Sequence, residues 1–282
     1  MKDIIVGTDF SECSINALKH ATAIAEKIGC DIVLLWVEKP GASLEDDAKG
    51  EKNYREKAEK KLITIADSYK SLMSKENRII PKIRQGKPAT EISKEAEKNE
   101  ARLIVVGSHG NSGFEEGQIG SNAYRTVMAV KCPVLTVQYH TNFSRALTDI
   151  VLVVDSTEET LQKVPFTVKI AKLFAAKIHI LGIVTSNIKG QQNLVEAYLR
   201  NAEKYVRDHN IRFSTYIKDS TNAVNTIIDF TKEVDANLIV IMSEQSNDMG
   251  VWLGSQARDM INKSKSPVLC IHPDDKVFGL AH

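Results

Sequence analysis

ARLIVVGSHGNSGFEEGQIGS, residues 101–121, passes from an apolar run into a glycine-rich one. Leu103 to Val106 are apolar without alternation, the signature of a strand covered on both faces. From Gly107 to Ser121 the chain carries five glycines, two carboxylates and no Lys or Arg. Residues 236–255, ANLIVIMSEQSNDMGVWLGS, repeat the stretch, with Met242 and Gln245 in place of Gly107 and Gly110. The chain therefore contains two copies of one pattern, and only the first keeps its leading glycines.

The repeat extends outward. Asp3-Ile4-Ile5-Val6-Gly7-Thr8-Asp9 answers Asp149-Ile150-Val151-Leu152-Val153-Val154-Asp155 at an offset of 146. Asp31 to Leu35 answers Lys177 to Leu181 at the same offset. Ala101 to Val106 answers Ala236 to Ile241 at 135, and Cys132 to Val137 answers Ser266 to Ile271 at 134. Two copies with so long a period are tandem domains, not a solenoid. The drop of eleven places a deletion between the second and fourth strands, expected in the counterpart of residues 40–77.

In the first copy the apolar runs predict strands at 3–8, 31–37, 78–84, 102–107 and 133–138. Helical patterns separate them. Ile15, Leu18, Ala21, Ile24, Ala25 and Ile28 share a face behind the cap residues Asp9 to Glu12, and Gly29 closes that helix. Ala58, Leu62, Ile65, Ala66, Tyr69 and Met73 form a second stripe. Lys87 to Asn99 and Asn122 to Val130 give two more. Unbroken apolar strands alternating with helices imply a parallel sheet with helices on both faces. The expected fold is α/β: two tandem doubly wound domains, each with a five-stranded parallel sheet. The expected domains are residues 1–140 and 147–282, joined by a linker at 139–147.

Bulk composition agrees with this and excludes several functions. The 282 residues suit two domains of ordinary size. The 37 basic and 36 acidic residues leave a net charge of +1. That balance gives no footprint for nucleic acid and no case for an anionic membrane surface. No apolar run nears the roughly 18 residues of a membrane span, and the N-terminus enters a strand pattern without a secretory signal. Four scattered cysteines, 13, 30, 132 and 270, form no CxxC pair. A reduced, cytoplasmic protein is the expectation. Seven scattered histidines show no metal-site spacing.

In open α/β sheets, ligands sit beyond the carboxyl ends of the strands, where strand order reverses. The skeleton Gly107-x2-Gly110-x9-Gly120-Ser121 leaves the fourth strand at that edge. Glycines turn backbone N–H groups toward an anion and let it approach. A helix starting near Ser121 adds free N–H groups, its dipole and a hydroxyl. By composition alone such a skeleton recurs in about one chain in eighty, so its context carries the weight.

With Gly7-Thr8-Asp9-Phe10-Ser11 at the first strand and Cys132-Pro133-Val134-Leu135 at the last, the skeleton resembles the universal stress protein family. The resemblance covers both halves. It implies the doubly wound fold and, in the family's nucleotide-binding branch, ATP held by the glycine motif. Carried over by position, Thr8 and Asp9 belong to the site, with Asp9 at the ribose or adenine. Val37 lines the adenine pocket and Gly107 lies near the ribose. Gly110, Gly120 and Ser121 bind phosphates, with Asn122 as a further contact at the helix start. Glu115 and Glu116 depart from a phosphate cradle: they are either solvated charges or holders of Mg²⁺ alongside ATP. The resemblance also implies that the last strands, 133–138 and 267–272, pair about a pseudo-two-fold axis, with a homodimer left open.

In the second copy a Met at the first motif position would crowd a sugar, and Gln245 blocks a phosphate's approach to backbone. That domain is expected not to bind ATP, with Asp155 as a helix cap ahead of Thr157 to Leu161. Trp36 reads as a packing anchor. Trp252 is either another anchor or a filler of the empty pocket. His109 is a surface residue or a nucleotide contact, and His179 belongs to core or sheet surface. The run from Glu45 to Lys61 is a solvated helix face. No catalytic base or nucleophile stands out. The leading expectation is a nucleotide-dependent stress or regulatory protein acting on protein partners. The alternatives are a slow ATPase or self-phosphorylating protein with Ser121 as acceptor, and a nucleotide-free scaffold.

Overall fold

The structure is a computed structural model describing residues 3–39, 51–74, 76–108, 121–139, 141, 147–243 and 254–273. The chain divides into two compact units, Met1–Phe143 and Ser144–His282. In the first, β1 (Ile4–Thr8), β2 (Ile32–Glu38), β3 (Ile79–Gln85), β4 (Leu103–Gly107) and β5 (Val134–Val137) lie in the order β3-β2-β1-β4-β5. Every pairing within that sheet is parallel. Register sets Gly7 against Leu35 and Val106, and Thr8 against Trp36.

Four helices cover the sheet: α1 (Glu12–Ile28), α2 (Glu51–Lys70), α3 (Pro88–Lys98) and α4 (Ser121–Ala129). Side chains alternate across a strand, so Thr8 and Trp36 share the face of α1 and α2. Gly7, on the opposite face, lies under Ile92 of α3. Ser93 of α3 donates to the Ala129 carbonyl of α4 at 3.0 Å, which puts α4 on the α3 face. α1 begins where Ser11 accepts from the Ser14 amide and ends at Gly29, whose φ of 72° is left-handed.

The second unit repeats the plan. Its strands β6 (Asp149–Val154), β7 (Lys177–Val184), β8 (Phe213–Asp219), β9 (Leu238–Met242) and β10 (Val268–Ile271) follow the order β8-β7-β6-β9-β10, again parallel. Its helices are α5 (Val164–Phe174), α6 (Lys189–Asp208), α7 (Ala223–Glu233) and α8 (Gly254–Lys263). Ala175 ends α5 in the left-handed region at φ 53°, in register with Gly29. The shortening falls between the second and third strands, where β3 and β8 stand at an offset of 134, twelve below the 146 of the first two strands.

One helix start differs. α1 runs unbroken from Glu12, whereas the second unit opens with a 3-10 turn, Glu158–Leu161, before α5. Pro165 has no N–H to offer the Leu161 carbonyl. The Lys163 ammonium takes the Thr160 carbonyl at 2.8 Å. The first turn therefore cannot join α5 as regular helix.

Candidate functional site

In the order β3-β2-β1-β4-β5, the chain reverses direction between β1 and β4. A crevice forms there at the carboxyl ends. Two of the sequence-predicted residues close β1: Thr8 as its last residue and Asp9 just after it. Gly107 closes β4, and Ser121 and Asn122 begin α4. Val37 lies on neighbouring β2, half-buried on the Gly7 face and in register with Arg84. Gly110 and Gly120, with Glu115, Glu116 and His109, lie outside the described residues.

The turn after β1 is tightly specified. Asp9 Oδ1 accepts from the Ser11 amide at 3.1 Å and from Ser11 Oγ at 2.5 Å. Thr8 Oγ1 accepts from the Phe10 amide and lies 3.0 Å from Ser14 Oγ. Phe10 is held at φ 65°, a conformation that side chains rarely adopt. Its ring stacks on Trp36 at 5.9 Å, and the Lys61 ammonium lies 4.8 Å above it. Tyr54 of α2 packs on Trp36 at 5.8 Å. Trp36 is 6% exposed, a packing anchor that ties α2 to this edge. The sequence reading did not assemble this stack, because its members come from three separate segments.

Gly107 has a tighter setting than the sequence suggested. A β-carbon on it would lie 2.9 Å from the Cys13 carbonyl carbon and the Ser14 nitrogen, and 3.0 Å from Cys13 Sγ. The missing side chain thus points at the first turn of α1. That turn is fastened to the end of β5: Cys13 Sγ donates to the Val137 carbonyl at 3.0 Å, and Asn16 Nδ2 to those of Gln138 and Thr141 at 2.8 and 3.0 Å.

The second unit matches the aspartate turn closely. Asp155 Oδ1 accepts from the Thr157 amide at 2.9 Å and from Thr157 Oγ1 at 2.5 Å. Thr157, not Asp155, is the N-cap of the 3-10 turn. The expected cap is therefore corrected to a side-chain turn that leads into the cap residue, the same turn that Asp9 makes with Ser11. The aspartate turn does not distinguish the units; their surroundings do.

Val154 replaces Thr8 and Lys163 replaces Ala17. Lys163 is 1% exposed, and its Nζ donates to the Thr160 carbonyl at 2.8 Å and to Thr160 Oγ1 at 2.9 Å. Burial drives its pKa down to about 8, against the opposing pull of Asp155. Sequence reading missed this buried cation, although aligning the repeats sets it against an alanine on the apolar face of α1. Met242, at Gly107's place, is 2% exposed. Ser243 is fully buried and shares a 2.8 Å hydrogen bond with His272 Nδ1.

Elsewhere, all four cysteines are buried and none is in a disulfide. Burial pushes the Cys30 thiol up to about 11 and those of Cys132 and Cys270 to about 12. His179 is buried beside Asp149, with 2.8 Å between Nε2 and Oδ1. Among the described residues no cluster of His, Cys, Asp and Glu has the makings of a metal site. No described helix is long and apolar enough to cross a membrane.

Comparison with known proteins agrees with this architecture. The model of the universal stress protein family matches the chain twice, at residues 1–138 and 147–272. A universal stress protein of Methanocaldococcus jannaschii is 32% identical over 145 residues, 49% of this chain and 82% of that protein. The crystal structure of a universal stress protein from Archaeoglobus fulgidus superposes with a TM-score of 0.77 at 21% identity, covering 97% of both chains. Another from Archaeoglobus fulgidus, solved in complex with dAMP, is 24% identical over 45% of this chain and 99% of that one, with a TM-score of 0.37.

Proposed function

Because the chain belongs to the universal stress protein family, we propose that its first unit binds an adenine nucleotide, ATP foremost, at the crevice between β1 and β4. One observation carries the reading. The skeleton Gly107-x2-Gly110-x9-Gly120-Ser121 starts at the end of β4 and finishes at the first residue of α4, at the reversal of strand order. Backbone N–H groups and a helix start at that place suit the phosphates of a nucleotide. Asp9 and Val37 flank the crevice from β1 and β2 and take the ribose and base. Mg²⁺, where present, rides on the phosphates. The second unit, with Met242 and Gln245 at the motif, serves as a non-binding partner. The bound nucleotide sets the state of a surface that cytoplasmic protein partners read.

Isothermal titration with ATP and Mg²⁺ tests this directly. The expected result is one site per chain, abolished in Gly120→Val. Trp36 gives a second readout, since it stacks beside the crevice and is the sole tryptophan in Trp252→Phe. Its fluorescence should shift on titration. Absence of heat and of fluorescence change would remove the reading, and two equivalent sites would remove the assignment of the second unit.

A further inference from the structure

We infer that Gly107 is a positioning residue: its lack of a side chain lets the first turn of α1 close on the end of β4, and this closure is what the position contributes to the site. The inference rests on the nucleotide reading above but assigns Gly107 a different part in it. A direct contact with ribose asks only that the outward side of Gly107 be open. The structure shows the constraint on the α1 side. There a β-carbon would meet main-chain atoms of Cys13 and Ser14 at 2.9 Å, closer than real β-carbons approach, and backbone cannot swing aside as a side chain does. Gly7 makes the contrast. Its β-carbon would meet only the tips of Ile92 and Val106 at 3.0 and 3.3 Å, which can yield.

The turn that Gly107 admits holds the site's own polar groups. Ser14 bonds Thr8, and Ser11 binds the Asp9 carboxylate and caps the helix. A displaced α1 start would carry these away from the crevice. The second unit displays the alternative. Met242 stands in Gly107's place, β9 lies against the segment Glu158–Leu161 that includes the counterparts of Cys13 and Ser14, and that segment is a 3-10 turn, not the start of a continuous helix. In the second unit a side chain at this strand end coexists with an interrupted helix start, to which Pro165 and Lys163 also contribute; in the first, the bare Gly107 coexists with a continuous one.

The test adds one methyl group. Gly107→Ala should lower ATP affinity at least tenfold by titration calorimetry. It should also speed alkylation of Cys13 by N-ethylmaleimide at pH 8 at least tenfold, read by peptide mass spectrometry. Cys13 is buried in the wild type, and the other three thiols, held at 11 or above, stay slow. Gly7→Ala should leave Cys13 protected. Asn16→Ala reaches the same turn from its other anchor with Gly107 intact, and should weaken ATP at least threefold. It keeps the test alive should Gly107→Ala not fold. Weakened binding in Gly107→Ala with Cys13 still protected would mean direct contact and would overturn the inference. Unchanged affinity in either Gly107→Ala or Asn16→Ala would overturn it as well. If the wild-type chain binds no ATP, the functional reading falls and the positioning role falls with it.

Discussion

Glu95 and Phe230 occupy the same place in the two units, on the helix that follows the edge strand. In the first unit Glu95 is 2% exposed and is held by charge. Lys82 Nζ donates to Oε1 at 2.6 Å, while Arg84 donates twice to Oε2, at 2.7 and 3.1 Å. Asn99 Nδ2 adds a bond to Oε1 at 2.8 Å. Burial pushes the carboxyl up, but the bonds from Lys82, Asn99 and Arg84 outweigh it and hold the pKa at about 2. In the second unit Tyr216 stands for Lys82 and Lys218 for Arg84. Phe230 packs edge-on against Tyr216 at 4.8 Å and against His179 at 6.4 Å, with the Lys218 ammonium 5.1 Å over its ring. The same fold closes this corner once with ion pairs and once with rings. The basic residue beside the helix survives in both because a cation suits a carboxylate and an aromatic face alike. The comparison teaches that one corner of the fold can be closed by exchanging several contacting residues together, Lys82, Arg84 and Glu95 for Tyr216, Lys218 and Phe230.

The largest expected effect comes from emptying the aromatic corner. Phe230→Ala should cost the second unit about 3–5 kcal/mol, since it deletes a fully buried ring. Urea unfolding of the full chain, read by amide exchange in β8, checks it. A loss below about 1 kcal/mol would mean that the corner does not support the unit. Glu95→Gln should cost the first unit less, about 2–3 kcal/mol, because Lys82 and Arg84 keep partial access to water. The pH dependence sharpens the contrast. Glu95 titrates lower in the folded state than in the unfolded one, so its contribution is complete above the ordinary carboxylate range. It is lost as pH falls from about 4.5 to about 2. Glu95→Gln should flatten that part of the acid limb in β3 amides and leave β8 unchanged.

The smallest effect has the opposite sign. Among the described residues the Lys163 ammonium bonds to neutral acceptors, the Thr160 carbonyl and hydroxyl, which is a poor setting for a buried charge. Lys163→Met should stabilise the second unit by about 1–2 kcal/mol at pH 7. The folded-state pKa lies below the unfolded value, so the penalty is full below about 8 and fades as pH rises toward 10.5. Wild-type stability of this unit should therefore climb across that window, and the variant should lose the climb. Destabilisation by Lys163→Met at pH 7 would show instead that Asp155 and Thr160 more than compensate the charge.

Much of this was legible in sequence. Strands buried on both faces announce themselves as unbroken apolar runs, so β1, β2, β4 and β5 were found to within a residue or two. Ser11 and Gly29 mark the ends of α1 by local chemistry alone. The candidate site could be proposed from sequence as a set of residues, since a glycine skeleton is a spacing and spacings survive in one dimension. Its packing was not. Nothing local to Gly107 says that its bare side faces α1; that follows from strand alternation combined with the crossing of a helix nearly a hundred residues earlier. The stack of Phe10, Trp36 and Tyr54 likewise needs three elements to converge.

Pro165 helps to break the second unit's first helix through a missing N–H, a property of one residue that the sequence reading passed over. Where Lys163 puts its charge is a property of many. By itself the sequence determined the repeat, the doubly wound order of elements, the ends of α1 and the one intact glycine motif, all of which depend on neighbours along the chain. Tertiary structure alone decided which face of Gly107 is constrained, that a lysine is buried where its sister carries alanine, and that Glu95 and Phe230 fill one corner. Those outcomes depend on close packing and on exclusion of water, which exist only after distant segments meet.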